Sequence, residues 1–182
     1  MPVRLFIALR PPANVREQLL DLMEGVPGAR WQDDEQLHLT LRFIGEVDES
    51  VGEDVAAALG QVHAPAPTLR LSGTGAFNKG SRSGALWAGV TPHDALHALH
   101  RKVDHACVRA GLRPERRAFL PHVTLARLSG AAMRDPAVDQ WLATTAGLAG
   151  PAFTLPHMIL LQSHLGREGA SYEPVVRWPL EP

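Results

Sequence analysis

Two segments of this 182-residue chain nearly repeat each other. The first reads His38-Leu39-Thr40-Leu41-Arg42-Phe43-Ile44-Gly45 and the second His122-Val123-Thr124-Leu125-Ala126-Arg127-Leu128. Each alternates polar residues with apolar or branched ones, the period-2 pattern of a half-buried strand. Residues i and i+2 of a strand share a face. His38 and Thr40 therefore point one way while Leu37, Leu39 and Leu41 point the other. His122 and Thr124 do the same, backed by Val123 and Leu125. Two strands of this kind can set their His/Thr pairs against each other across a cleft.

The rest of the chain supplies what such strands need for packing. Residues 3–9 read as a buried strand. After Pro11-Pro12, an amphipathic helix carries Val15, Leu19, Leu22, Met23 and Val26 and ends at Gly25, Pro27 and Gly28. Ser50 with Glu53 forms a capping box for a helix bearing Val51, Val55, Ala58, Leu59 and Val62. Strands over 68–71 and 85–90 flank the glycine-rich stretch 73–84, which reads as a long mobile loop containing Lys79 and Arg82. Thr91 as cap and Pro92 at the first position open a helix with Leu96, Leu99, Val103 and Cys107 on its buried stripe. Asp135-Pro136 repeats that signal before Val138, Trp141 and Leu142. Residues 153–155, 158–162 and 175–178 are again extended. Each His/Thr strand is thus followed by a polar turn and a helix. The pattern predicts an α+β fold made of a duplicated unit: one two-lobed domain over residues 1–182, with antiparallel sheets, helices packed outside and a central cleft.

Composition narrows the function. With 45% hydrophobic and 20% charged residues and a formal net charge of −1, the chain is not built to coat nucleic acid by charge alone. A local nucleic-acid contact remains open. Cys107 is the single cysteine, which leaves no internal disulfide and fits a reducing compartment. The first residues are too short in apolar run and too early in charge for a signal peptide, and no stretch approaches a membrane span. The expectation is a cytoplasmic monomer with no membrane association and no obligate protein partner.

Histidine is the side chain that serves as acid or base near neutral pH. One neutral and one protonated imidazole make a general base and a general acid, each worth about 10²–10⁴ in rate. Threonine hydroxyls are neutral donors suited to the non-bridging oxygens of a phosphate. No carboxylate accompanies either histidine in its motif. The set fits in-line attack on a phosphodiester without metal or cofactor. Other constellations compete weakly. His93, His97 and His100 have the i, i+4, i+7 spacing of metal ligands on a helix, but no His-Glu-x-x-His pattern accompanies them, and a solvated face is the simpler reading. The 73–84 stretch lacks both the phosphate-loop lysine motif and the dinucleotide fingerprint. The basic run 113–117 reads as surface, with RNA contact as its alternative.

With these residues in view, the chain resembles the 2H phosphoesterase superfamily, named for two His-x-Thr motifs. Within it, the chain is similar to the bacterial RNA 2′,3′-cyclic phosphodiesterases historically called 2′-5′ RNA ligases. Besides the two motifs, the matching pieces are Arg4-Leu5-Phe6-Ile7-Ala8-Leu9, Leu86-Trp87-Ala88-Gly89-Val90, Pro121, Ser163, Gly169 and Tyr172. The lead Ser81-Arg82-Ser83-Gly84 departs from the Arg-Pro-Arg-like segment often found there, which leaves the role of Arg82 open. The resemblance implies hydrolysis of 2′,3′-cyclic phosphate ends of RNA, or of cyclic nucleotides, to 2′-phosphates. It also implies joining of RNA ends through a 2′,5′ linkage by the reverse sense of the same acid–base chemistry. By analogy His122 is the base on water and His38 the acid at the departing 3′ oxygen, with Thr40 and Thr124 on the phosphate. Arg127 and Phe43 share one offset from their histidines, and strict alternation would send both to the core, where an unpaired Arg is costly. Either the strands end or twist there, or Arg127 is buried with a partner. The resemblance places Arg127 on phosphate and Phe43 in a stack with a base. A non-catalytic module binding nucleotides or RNA ends, and a metallohydrolase using the helix histidines, are the alternatives.

Overall fold

The segment Pro2–Leu9 buries Leu5, Ile7 and Leu9 on one side and Phe6 and Ala8 on the other, so this first strand is covered on both faces. The computed structural model describes residues 1–80 and 82–182; Ser81, part of the departing lead before Trp87, lies outside them. In chain order the elements begin β1 (Pro2–Leu9), α1 (Ala13–Leu20), β2 (Arg30–Trp31), a 3₁₀ turn (Asp34–Gln36), β3 (Leu39–Asp48) and α2 (Glu49–Leu59). There follow β4 (Thr68–Lys79), β5 (Ser83–Thr91), α3 (Asp94–Arg109), β6 (His122–Ser129), α4 (Gly130–Met133) and α5 (Pro136–Thr145). The chain closes with β7 (Phe153–Thr154), β8 (His157–Gly166) and β9 (Gly169–Pro179).

The strands form one nine-stranded sheet in the order β7-β4-β5-β6-β3-β1-β8-β9, with β2 beside β6. All pairings of these strands are antiparallel. The architecture is the α+β one expected, and the two His/Thr strands lie side by side at its centre. Helices cover one face of the sheet. The first and third exchange halves: Gln18 and Leu22, at and just beyond the end of α1, bond Ala149 O and the Trp141 indole N–H, while His100 and Asp104 of α3 bond Leu41 O and Arg42 of β3. One hydrophobic core runs beneath both halves. Phe6, Ala8 and Ile159 stand outside it, on the opposite face, which carries the histidines.

Four local expectations need correction. Residues 74–79 and 83–84 of the expected loop are instead paired strand of the β4–β5 hairpin, from Thr74–Ala88 to Lys79–Ser83. Its glycines serve close packing: a Cβ on Gly75 would lie 2.2 Å from the Trp87 ring, and one on Gly84 2.4 Å from Met133 Sδ. Thr91 does not cap α3, because β5 continues through it to pair with Arg70; His93 takes the cap position. Ser50 lies inside α2, since β3 runs to Asp48 and the helix starts at Glu49. The first helix stops at Leu20 rather than reaching Val26, which is buried by the turns that follow. The Asp135-Pro136 signal holds: Asp135 Oδ1 accepts the Ala137 N–H at 2.8 Å.

Candidate active site

The central join decides where the motifs meet. Leu39 pairs with Val123, the middle residue of one His-x-Thr with the middle residue of the other. Because the strands are antiparallel, His38 is set toward Thr124 and Thr40 toward His122, all on the face opposite the helices. The four side chains are half-buried, while the Leu39 and Val123 between them are buried.

Each motif then carries a β-bulge at the same place. Leu41 has no partner on β1 between the pairs Ala8–Thr40 and Ile7–Arg42. Leu125 has none on β5 between Trp87–Thr124 and Leu86–Ala126. An extra residue reverses the alternation beyond it. Leu41 and Arg42 are therefore both buried, as are Leu125 and Ala126, and the following Phe43 and Arg127 emerge exposed. Neither a strand end nor a buried partner is required. The bulge carbonyls are satisfied, Leu41 O by His100 Nδ1 at 2.8 Å and Leu125 O by the Gln32 N–H at 2.8 Å.

Both imidazoles are held alike. Nδ1 of His38 lies 2.6 Å from Gln36 O, and Nδ1 of His122 lies 2.5 Å from Leu120 O. A carbonyl only accepts, so Nδ1 carries the proton and Nε2 is left free in each ring. Phe6 at 4.9 Å and Tyr172 at 5.2 Å wall His38; Phe77 at 4.8 Å and Trp87 at 6.1 Å wall His122. Burial pushes the His38 imidazole down to about 4, with repulsion from Arg127, His122 and Arg10 adding to it and the Gln36 carbonyl opposing. Burial also lowers His122, assisted by Lys79 and Arg127 and opposed by the Leu120 carbonyl. Arg127 acts on both rings, so its charge lies within electrostatic reach of each. Both imidazoles are therefore neutral near pH 7, each with an Nε2 lone pair within electrostatic reach of Arg127 and, at His122, of Lys79. Such a site attracts an anion and can exchange protons with it.

The helix histidines do not assemble. His100 bonds Leu41 O and stacks on Phe119 at 4.3 Å, half-buried rather than solvated, and His93 Nε2 bonds Val90 O at 2.7 Å. Arg42, within the first motif, is instead a buried tether: it pairs with Asp104 Oδ1 at 2.8 Å and donates to Arg113 O. Phe77 was not marked by the sequence as a site residue, because its strand reads there as a loop.

A family model for the 2′-5′ RNA ligase superfamily matches residues 11–167. The chain belongs to that superfamily. Among the members it resembles, an RNA 2′,3′-cyclic phosphodiesterase of Aeropyrum pernix is 34% identical over 150 residues, covering 82% of this chain and 84% of the relative. An RNA 2′,3′-cyclic phosphodiesterase of Escherichia coli is 29% identical over 98% of this chain and 97% of its own. The crystal structure of Escherichia coli LigT complexed with 3′-AMP superposes with a TM-score of 0.79 at 28% identity, covering 99% of both chains.

Proposed function

We propose that this superfamily member is an RNA 2′,3′-cyclic phosphodiesterase that opens cyclic phosphate ends to 2′-phosphates by acid–base exchange between His38 and His122. The observation that carries this reading is the mirror placement of the two motifs about Leu39–Val123, each imidazole presenting a free Nε2. The names of the relatives above support the same substrate.

In the proposed step, His122 Nε2 takes a proton from water as its oxygen attacks phosphorus. The bond from phosphorus to the 3′ oxygen breaks, and His38 Nε2 returns a proton to that oxygen, so proton count and charge balance. Thr40, Thr124 and Arg127 donate to the non-bridging oxygens, and Phe43, 58% exposed on the same face, stacks on the terminal base. Burial makes His38 hard to protonate by itself. The bound phosphate anion offsets the burial that depresses it, so the acid forms with substrate in place. The two halves act as one domain, and RNA ends or cyclic nucleotides are the substrates.

The test is incubation with a nucleoside 2′,3′-cyclic phosphate in the presence of chelator. The expected product is the 2′-phosphate. Tight binding without turnover would point to a binding module instead, and activity lost on chelation to a metal-dependent hydrolase.

A further inference from the structure

A second cationic cavity lies on the histidine-bearing face, beyond the 3₁₀ turn. It measures about 290 Å³ and is lined by Arg10, Arg16, Arg177, His157, Thr154 and Ile159. Asp34 is the one carboxylate bonded to any of these arginines among the described residues, at 2.9 Å from Arg16 Nε and 3.5 Å from Arg10 Nη2. Arg177 is exposed, and its side chain has no hydrogen bond or ion pair among them. The Arg10 guanidinium is held below its ordinary value by burial first and then by Arg16, with Arg177 acting in the same sense. Three guanidiniums thus converge where only two carboxylates, Asp34 and Glu35, act on Arg10 in the opposite sense.

The strand register connects this cavity to the histidines. Thr40 pairs with Ala8, Ala8 with Ile159, and Ile159 with Arg177. Paired residues share a face, so these four form one row across it. Three strand spacings of about 4.8 Å put Arg177 roughly 14 Å from Thr40. The 3₁₀ turn stands at this row: Arg10 donates to Glu35 O, and Gln36 Nε2 to Ala170 O of β9. A nucleic-acid chain ending between the imidazoles would have to pass that turn to reach the arginines.

We propose that this cavity holds an internal phosphate of the RNA, upstream of its reacting end, and makes the protein prefer oligonucleotides to mononucleotides. The proposal rests on the phosphodiesterase reading above. A nucleoside 2′,3′-cyclic phosphate has no second phosphate to place there; a cyclic-ended oligonucleotide has. The experiment compares kcat/KM on the two for the wild type, Arg177→Gln and Arg177→Lys. Arg177→Gln is expected to lower the oligonucleotide-to-mononucleotide ratio about tenfold, and Arg177→Lys to keep most of it. In equilibrium binding of a 2′-phosphate-ended oligonucleotide, Arg177→Gln should flatten the slope of log K against log salt by about 0.7. An equal loss on both substrates, or a ratio and slope left unchanged, overturns the proposal. Wild type inactive on both substrates would count against the activity itself, while the salt slope would still decide on the cavity.

Discussion

Leu39 stands directly opposite Val123, and this pair alone joins β3 to β6 among the described residues. It lies at the centre of an approximate twofold relation that runs through the site. The His-x-Thr motifs, the carbonyls that fix Nδ1, the bulges at Leu41 and Leu125, and the aromatic walls all fall in matching places on either side. Two residues past the bulge the exposed side chains differ, one half presenting Phe43 and the other Arg127. A phosphate with one base attached is itself asymmetric in this way.

The two imidazoles should be separable by the leaving group. His38→Ala and His122→Ala are each expected to lower kcat by about 10²–10⁴ on a 2′,3′-cyclic phosphate. A substrate carrying sulfur in place of the 3′ bridging oxygen leaves as a thiolate and needs no proton. On it His38→Ala should recover toward wild type and His122→Ala should not. Recovery of His122→Ala instead would exchange the two roles.

Removing Arg127 should act on rate and pH dependence together. Its charge lowers both imidazoles, so Arg127→Ala raises both. The base then deprotonates at higher pH, and the acidic limb of the kcat/KM profile moves up. Loss of a charge-assisted phosphate contact should cut kcat/KM by about 10–100-fold. A lower rate with an unmoved acidic limb would mean that Arg127 contacts substrate without tuning the histidines.

Stability should depend on His38 in acid. The fold favours neutral His38, so as pH falls the unfolded chain takes up its proton first. This contribution is intact above the ordinary value near 6.5, declines below it, and levels off below about 4. Urea midpoints of wild type should therefore fall more between pH 7 and pH 4.5 than those of His38→Gln. Parallel declines would show that His38 titrates normally in the fold.

The central strands and both His/Thr pairs were legible in the sequence because alternation is a local signal and the motif occurs twice. The bulges were not, since nothing in Leu41-Arg42 or Leu125-Ala126 marks an unpaired residue; only the register with β1 and β5 shows it. The strand character of residues 74–79 is hidden for a related reason. Glycine serves a mobile turn or a tightly packed strand equally well, and the packing partner of Gly84 is Met133, far along the chain. The roles of Arg42 and His100 depend on contacts about sixty positions apart in the sequence and leave no pattern of their own.

Gly75 offers a direct test of the wall behind His122. Its Cα hydrogen faces the Trp87 ring so closely that a methyl cannot be added without moving the indole. Gly75→Ala should cost about 1–3 kcal/mol by overpacking. It should also shift Trp87 fluorescence and lower kcat more than it raises KM, because the displaced ring no longer steadies His122. A stability loss with kcat unchanged would mean that the wall is only packing.

The pair between buried Arg42 and half-buried Asp104 ties the basic run 113–117 to the core, since Arg42 also donates to Arg113 O and Asp104 Oδ1 also accepts the Glu115 N–H at 3.0 Å. Asp104→Ala strands a guanidinium that is 6% exposed, at an expected cost of about 3–5 kcal/mol. Replacing both residues by apolar ones of similar size, Arg42→Met with Asp104→Leu, removes the stranded charge and should recover most of that loss. It cannot restore the bonds to the Arg113 carbonyl and the Glu115 amide. The double variant should therefore melt near wild type yet be cut faster by trypsin within residues 113–117. Stability and protection recovering together would show that apolar packing alone holds the run in place, and that the ion pair is dispensable to it.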